Sequence, residues 1–435
     1  MPTYSVTHLI AAALSATVLV PTAVATRPVP VCCAVGLTYG KAPTAELTWP
    51  MAPEQPRVRY LGSLSSEADL GKPKGGFSLL RSMITGSQTS IMSVQRPYAA
   101  YVDAKQRMYV SDGSRRAVVL FDPGTGKSEL IGKSGAGRLA KPMGLAGDAN
   151  GNLYVADQSG RRVVAFAPDG SFLRAYGGTS VLLNPVGVAV DSTAGIVYVA
   201  DSYLHQVLAF RQSDATLIRR LGRNVGDLEA KKRATGLNAQ SAAIHGEPKT
   251  VAEKQIVASD IRATEVMGHS PTDNLEPRDL TENRGGKPGE FRYPSFLAVG
   301  GDGTLYVSDG MNARVQTFDR KGTFIRQIGG AGQTPGHFAR PKGVAVDRAG
   351  QVYVADAAFN NIQIFDASGR LLLVVGDMGN GDGQLWLPLG LHIDAHDRVY
   401  AADRYNNRVQ MYQYLGSDLR SGAPGADAVT TQRAP

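Results

Sequence analysis

The sequence predicts an all-β fold, a six-bladed β-propeller with four strands in each blade. Three observations support this prediction: a unit that mostly recurs every 43 to 47 residues, four short apolar runs within that unit, and an N-terminal run that matches the outermost strand of later units. A period in the forties with four strands per unit is typical of propellers, whose blades cover one another's faces.

The clearest unit covers residues 341–375 and holds four runs rich in Val, Ile, Leu and Tyr. We predict strands at 344–347, 351–356, 362–366 and 370–375, separated by Gly, Asp, Asn and Ser, which favour tight turns. The runs are apolar at nearly every position rather than at alternate ones, which indicates a sheet buried on both faces. Such a sheet needs copies of itself on either side.

The copies share two landmarks, a proline that starts the first strand and an aspartate that closes the second. The pairs are Pro97/Asp112, Pro142/Asp157, Pro185/Asp201, Pro294/Asp309, Pro341/Asp356 and Pro388/Asp403. The one long interval, between the third and fourth prolines, contains a polar tract at 224–283 that we interpret as a flexible insertion between blades three and four. The alternative is a decayed seventh blade, because residues 256–260 (IVASD) imitate a second strand.

The N-terminal run at 57–62 (RVRYLG) matches later fourth strands such as 324–329 (FIRQIG). The last unit stops after its third strand, at 408–414, with a polar tail beyond it. We therefore predict that the N-terminal run supplies the outer strand of the last blade and closes the ring, which leaves no free edge. The propeller then covers residues 57–420, and 421–435 form a disordered tail.

The first 56 residues have the features of an export signal and a linker. Residues 9–20 are an apolar run too short to span a bilayer, and 23–25 (AVA) fit a signal cleavage site, so 1–25 are predicted as a signal peptide. Residues 26–56 are a Pro-rich linker. Cys32 and Cys33 are adjacent and pair poorly with each other, so Cys32 is a possible lipid anchor; the alternative is a plain tail with two incidental thiols. The expected location is the periplasm or the cell envelope.

The units at 343–366 (GVAVDRAGQVYVADAAFNNIQIFD) and 390–412 resemble NHL repeats. Residues 47–64 resemble the leader of bacterial exported six-bladed propellers of that class, which are often predicted lipoproteins. The resemblance covers residues 47–415 apart from the insertion and implies NHL-type blades. It leaves the function open, because such propellers include binding scaffolds, RNA binders, sensor domains and a few enzymes.

In an antiparallel blade, the loops between second and third strands share one rim with the loops between blades, and the insertion projects from that rim. The arginines of this rim suit an anionic or peptide ligand. The candidate ligand-binding residues are Arg115, Arg161, Tyr203, His205, Arg404 and Tyr405. Other arginines recur four or five residues after the closing aspartate, which indicates turn-bracing ion pairs: Asp112/Arg116, Asp157/Arg162, Asp309/Arg314 and Asp403/Arg408.

A catalytic or metal site is not evident. Residues 201–207 (DSYLHQV) resemble a zinc-binding loop of the propeller lyase that completes peptide amidation, whose other zinc histidines follow the blade prolines. Those positions hold Tyr98, Met143, Val186, Ser295, Lys342 and Leu389. None is histidine, so we predict no zinc site and no other cofactor. The sequence also has no Ser nucleophile elbow, phosphate loop or paired carboxylate signature.

We interpret the chain as a monomeric, non-enzymatic scaffold of the cell envelope that binds a protein, a peptide or an anionic small molecule at the pore rim. The alternative is a hydrolase or lyase acting at the mouth of the central channel. The net charge of +8 permits an acidic partner without requiring one. Nucleic-acid binding is disfavoured because only Tyr203 and Tyr405 would supply rim aromatics, and membrane contact would come only through the possible anchor at Cys32.

Overall fold

Six antiparallel sheets stand in a ring in the computed structural model, which describes residues 39–70, 92–222 and 285–416. The first strands of neighbouring sheets pack against one another all the way round, so they line the central channel. The first strand of blade 3 packs directly against the first strand of blade 4, so no seventh blade stands between them. The predicted signal peptide, Cys32, the insertion and the tail lie outside the described residues.

Blades 1 to 5 are each a meander of four strands, and blade 6 begins with three, numbered β3 to β25 in chain order. The bounds are β3 Pro97–Val102, β4 Met108–Asp112, β5 Ala117–Asp122 and β6 Lys127–Ile131; β7 Pro142–Gly147, β8 Leu153–Asp157, β9 Arg162–Phe166 and β10 Phe172–Gly177; β11 Pro185–Asp191, β12 Ile196–Asp201, β13 Gln206–Arg211 and β14 Leu217–Leu221; β15 Pro294–Val299, β16 Leu305–Asp309, β17 Arg314–Phe318 and β18 Phe324–Ile328; β19 Pro341–Val346, β20 Val352–Asp356, β21 Asn361–Phe365 and β22 Leu371–Val375; β23 Pro388–Ile393, β24 Arg398–Asp403 and β25 Arg408–Tyr414. Two short 3-10 helices occupy Glu67–Leu70 and Gly310–Asn312.

The N-terminal strand closes the ring, as predicted. β2 (Val58–Leu64) pairs antiparallel with β25, from Val58 opposite Tyr414 to Leu64 opposite Val409. A short strand, β1 (Thr48–Trp49), then pairs with β2, so blade 6 has five strands where the sequence predicts four. The part of the predicted linker that the structure describes, 39–56, packs on this blade: Tyr39 is buried, and the Thr44 hydroxyl donates to Asp382.

The repeated apolar residue three positions before each proline is the contact between consecutive blades. All six are buried: Val94, Leu139, Leu182, Phe291, Phe338 and Leu385. In blade 2 the fourth strand ends at Gly177, which has φ +82°, and a Cβ there would stand 2.3 Å from Leu182 Cδ1. Only glycine accepts both that conformation and that approach. The glycine that ends a fourth strand therefore lets the next blade pack closely.

Candidate functional site

The aspartate that closes each second strand organises one rim of the propeller, which we call the upper rim. In blade 3 the Asp201 carboxylate accepts N–H bonds from Leu183 and Asn184, just before β11, at 2.7 and 2.9 Å. It also accepts N–H bonds from Tyr203 and Leu204, in the turn after β12, at 3.1 and 3.0 Å. One buried carboxylate thus ties the two loop types together, and the six equivalent side chains are all fully buried: Asp112, Asp157, Asp201, Asp309, Asp356 and Asp403.

Three of the four predicted ion pairs on this rim are confirmed. The arginine Nε lies 3.8 Å from a carboxylate oxygen in Arg162–Asp157, 3.0 Å in Arg314–Asp309 and 2.9 Å in Arg408–Asp403. In blade 1 the partner of Asp112 is Arg115, at 3.7 Å, rather than Arg116. Arg116 has φ +53° and is exposed, whereas Arg115 turns inward and donates to the Ser93 carbonyl. Arg115 therefore braces a turn.

His205 joins blade 3 to blade 4. Its Nδ1 accepts the N–H of Tyr293 at 3.0 Å, and the two rings meet edge to face at 4.6 Å. The same turn position holds Asn360 and Asn407, whose Oδ1 atoms accept the N–H of Leu387 and of Arg96, respectively, in the following blade. The equivalence gives buried His205 a role in blade-to-blade contact.

The other predicted residues lie on the upper rim with unequal exposure. Arg161 is half-buried in a left-handed turn, and Tyr203 is half-buried with its pKa raised to about 12 by burial. Tyr405 is 54% exposed and meets Trp386, itself 45% exposed, edge to face at 5.7 Å. Arg404 lies between Asp403 and Tyr405 in the chain, and its charge acts on Tyr98 and Lys141. The structure thus places Arg404 near the channel and keeps Arg115 and His205 in turn contacts.

The upper end of the channel is surrounded by the residues that flank each proline and the residue that follows each aspartate. They come together because every proline is the strand partner of its blade's aspartate, as in Pro341 opposite Asp356. Five of the residues at these positions are basic: Arg96, Lys141, Arg340, Lys342 and Arg404. We call the last four the cationic mouth, and their charges act on one another in two pairs. Burial, and then Arg404, lower the pKa of Lys141. Burial, and then Arg340, lower the pKa of Lys342 to about 8.

Two aromatic rings fill the channel at the level of the cationic mouth. Tyr98 of blade 1 stacks on Phe296 of blade 4, with ring centroids 5.1 Å apart and planes 19° apart. Blades 1 and 4 are opposite each other in a ring of six, so this stack crosses the channel axis. Phe296 occupies a position that is glycine in four other blades, at 144, 187, 343 and 390. The cationic mouth therefore has an aromatic floor.

Two grooves lie on the opposite rim, between neighbouring blades. One of 670 Å³ separates blades 2 and 3, and one of 360 Å³ separates blades 4 and 5. Each is crossed by an outer-strand arginine, Arg174 or Arg326, that donates to a carbonyl of the next blade, Ser213 or Ala367. Because the same feature recurs at equivalent positions, we assign these grooves to the geometry of adjoining blades.

Comparisons with known proteins agree with the architecture. Residues 297–352 match a family described as six-bladed β-propeller, and residues 182–210 match the NHL repeat. The chain is a six-bladed propeller, and one segment of it matches the NHL repeat. A search of the curated proteins found no significant match.

Solved structures similar to this NHL propeller differ widely in function. Virginiamycin B lyase from Staphylococcus aureus is 12% identical, over 73% of this chain and 95% of the lyase, with a TM-score of 0.45. XC5397 from Xanthomonas campestris, described as a gluconolactonase, is 15% identical, over 81% and 98%, with a TM-score of 0.47. An auxiliary nutrient binding protein from Bacteroides ovatus is 11% identical, over 73% and 69%, with a TM-score of 0.48. Similarity this distant carries no argument about function.

Within the residues that the structure describes, no three His, Cys, Asp or Glu side chains are grouped so as to hold a metal ion. No helix among them is long and apolar enough to cross a bilayer.

Sequence reasoning missed most of the cationic mouth. The positions after the prolines predict a zinc site only where they hold histidine. Lys342 is a lysine at one of these positions, so the zinc pattern gives no reason to select it. The basic residues just before Pro142 and Pro341 belong to the same ring but stand outside the repeated Asp–Arg pattern. The Tyr98–Phe296 stack joins residues 198 positions apart, and only the ring closure brings them together. A charge count at every position next to a blade proline would have found the lysines.

The NHL propeller should lose stability in mild acid through His392, which lies on the first strand of blade 6. Its Nε2–H donates to the Val102 carbonyl of blade 1 at 3.1 Å, and Tyr101 covers the ring edge to face at 4.8 Å. Burial lowers the pKa of His392 to about 4. The unfolded chain, with a pKa of about 6.5, therefore takes up the proton first. This contribution to stability is complete above about pH 6.5 and is lost as the pH falls towards 4.

Urea unfolding at pH 7 and pH 5 measures this loss. The His392 imidazole keeps some contact with the channel, which limits the effect. We expect the free energy of unfolding of wild type to fall by about 1–2 kcal/mol more between these pH values than that of His392→Gln does. His396→Gln is the control, since that side chain is 48% exposed. Equal losses in wild type and His392→Gln would show that the buried ring is not responsible.

Proposed function

We propose that this NHL propeller is a binding scaffold of the cell envelope that holds an anionic small molecule in its cationic mouth. The observation that carries the proposal is the presence of two basic pairs at the upper end of the channel, Lys141 with Arg404 and Arg340 with Lys342, together with the Tyr98–Phe296 stack across the channel. Neighbouring like charges destabilise one another, and a bound anion would remove that cost. The envelope location follows from the signal-like sequence at 1–25, with Cys32 as a possible lipid anchor.

The carboxylates of the upper rim do not neutralise this charge fully. Asp356, the carboxylate next to Lys342 in the fold, accepts N–H bonds from Ala339 and Arg340 and from the turn at 358–359. A carboxylate that accepts several backbone N–H bonds has most of its lone pairs engaged. Among residues 39–70, 92–222 and 285–416, none forms a hydrogen bond or an ion pair with the Lys342 amine, so its charge remains available to a ligand.

An aromatic wall stands beside the mouth. Trp386 and Tyr405 expose about half of their surfaces, and Tyr405 directly follows Arg404 in the chain. Exposed Trp and Tyr are common at binding sites because one side chain offers both an apolar face and a polar group. This wall would contact an apolar part of a ligand whose anionic group meets Arg404, which agrees with the sequence-based choice of Arg404 and Tyr405.

Calorimetric titration with inorganic phosphate and with succinate tests the proposal. We expect saturable binding of at least one of the two at low salt, weakened in 0.5 M NaCl because exposed charges are screened at that concentration. Arg404→Gln and Lys342→Gln should each weaken that binding about tenfold or more, the loss expected for a charge-assisted hydrogen bond.

Arg370→Gln is the matched control. It removes one arginine charge from the opposite rim, where Arg370 pairs with Asp366 at 3.1 Å. Its affinity should equal that of wild type. If neither anion binds, or if all three variants weaken binding equally, the cationic mouth is not the site.

An enzymatic role at the same mouth is the second candidate function. The observation that favours it is the Lys342 amine, whose pKa burial lowers to about 8.

A further inference from the structure

The groove between blades 2 and 3 differs from the groove between blades 4 and 5 in size. Its volume is 670 Å³, against 360 Å³ for the other groove. Strands β12 and β13 of blade 3 have six residues each, whereas β20 and β21 of blade 5 have five. The additional residues form one more strand pair, Ile196 opposite Arg211, and both line the groove. Blade 3 therefore extends one wall of this groove beyond the repeated geometry.

The polar lining of this groove is fixed by hydrogen bonds between the two blades. Gln212 of blade 3 donates through Nε2 to Asp148 Oδ2 and to the Tyr154 hydroxyl of blade 2, at 2.8 Å each. Tyr176 of blade 2 donates to the Gln212 carbonyl at 2.7 Å. Asn152 Nδ2 donates to the same carboxylate oxygen at 2.8 Å. The side chains of this network are therefore held in place before any ligand arrives.

The amide groups of the groove keep hydrogen-bonding capacity for a ligand. Both hydrogens of Gln212 Nε2 are engaged, but no described residue donates to its Oε1 or to Asn152 Oδ1. Neither of these two oxygens is buried. Asn150 also lines the groove, and its side chain is exposed. A side-chain amide offers both donors and acceptors, as does a hydroxyl group.

The charged groups around the groove balance in number. Two arginines line it, Arg174 and Arg211. Arg211 pairs with Asp214 at 2.8 Å, and the Asp148 carboxylate accepts the hydrogen bonds of the amide network. Arg174 donates to the Ser213 carbonyl of the next blade. With two charges of each sign, the groove favours a neutral ligand, in contrast to the cationic mouth.

The walls of the groove suit the C–H faces of a sugar ring better than a peptide. Leu173 and Ile218 line it and are 46% and 42% exposed. On blade 2 the wall is one sheet face, in which Tyr154, Ala165 and Arg174 are neighbours across three strands. The backbone groups of those strands are paired with one another. They are therefore closed to a peptide that would add as a further strand, because such a peptide needs a free sheet edge.

We propose that the groove between blades 2 and 3 binds a short neutral oligosaccharide. Its hydroxyl groups pair with Asn150, Asn152 and Gln212, and the C–H face of a ring packs on Leu173 and Ile218. The volume of 670 Å³ lies within the range of about 300–1,000 Å³ that is usual for ligand pockets. This site is on the rim opposite the cationic mouth, so it is independent of the proposed anion site.

The groove between blades 4 and 5 provides matched controls. Gly300 and Ala367 stand there at the positions of the network's carboxylate and bridging amide, so these two polar side chains are missing. The exposed Ala349 of that groove corresponds to the exposed Ala194 of the larger one. Each donates its N–H to the aspartate at the start of its turn, at 2.9 Å. A large side chain at either position fills the groove without changing the core.

A glycan array probed with labelled full chain tests the proposal. We expect wild type to retain neutral oligosaccharides, and to retain them equally in 0.15 M and 0.5 M NaCl because no net charge is involved. Ala194→Phe should reduce that retention at least tenfold, whereas Ala349→Phe should behave like wild type. In calorimetric titrations with the best-retained trisaccharide, Asn152→Ala should weaken binding about threefold to tenfold, the loss expected for a neutral hydrogen bond. Thr304→Ala, at the equivalent position of the smaller groove, should not weaken it.

Three results would overturn the proposal. Wild type retains no neutral glycan, or it retains only acidic glycans, which suit the cationic mouth, or Ala194→Phe retains neutral glycans as well as wild type does. A parallel array of neutral peptides identifies the other occupant. If wild type retains peptides but no glycans, and Ala194→Phe loses the peptides, the groove binds peptides instead.

Discussion

A chain that begins at Ser65 should unfold at a temperature about 10–20 °C below that of the full chain. It lacks β2, which buries Val58, Tyr60 and Leu64 against the last blade. Burial of side chains of this size contributes about 1.5–3 kcal/mol each, so their loss removes roughly 5–8 kcal/mol. In a domain of a few hundred residues, 1 kcal/mol corresponds to roughly 2–4 °C. The truncation also leaves β25 as an exposed sheet edge, so the shortened chain should aggregate.

A chain that begins at Tyr39 is the control for this truncation. It keeps β1, β2 and the contact of Thr44 with Asp382, and it should melt like the full chain. Calorimetry on the full chain and the two truncated chains measures the three melting temperatures. If the chain from Ser65 melts within a few degrees of the other two, closure by the N-terminal strand does not stabilise the ring.

Asp201→Ala should reduce the free energy of unfolding by about 3–5 kcal/mol. The carboxylate is fully buried and accepts N–H bonds from both loops of the upper rim in blade 3. Removing it leaves buried backbone donors at Leu183 and Asn184 without their acceptor, at about 1–3 kcal/mol each. Burial raises the pKa of Asp201, so loss of the buried charge offsets part of this cost.

Asp214→Ala is the matched control for Asp201→Ala because it lies in the same blade, in an exposed turn on the opposite rim. Its carboxylate accepts the N–H of Thr216 and pairs with Arg211 at 2.8 Å. An exposed pair of this kind contributes little to stability. Chemical denaturation of both variants should therefore show a several-fold difference, and equal losses would mean that the buried aspartates do not hold the rim together.

Features that recur in every blade could be predicted from the sequence, whereas contacts across the channel could not. The proline, the aspartate and the apolar residue before the proline each repeat six times, so the blades, their number and the shared rim follow from spacing. Ring closure could be predicted in the same way, because residues 57–62 match the fourth strands of later blades. β1 was missed because two residues carry no period, and it forms only through pairing with β2.

The candidate site was harder to predict because it consists of departures from the repeat. His205 stood out as the one histidine in its loop, yet it fills the same turn position as Asn360 and Asn407 and has their structural task. Lys342 and Phe296 break the pattern of their neighbours, and their partners come from blades distant in sequence. In a repeated fold, scaffold residues can be recognised from the sequence because they recur in every blade. The residues of the candidate site do not recur, so the sequence pattern does not reveal them.

Anomalous diffraction from crystals soaked in selenate, an anion that scatters strongly at the selenium edge, tests the binding claim most directly. The account predicts the strongest selenium peak in the cationic mouth, in hydrogen-bond contact with Lys342 Nζ and the Arg404 guanidinium, and its loss in crystals of Lys342→Gln. Peaks only at arginines of the opposite rim, such as Arg348 and Arg370, with an empty mouth would contradict it.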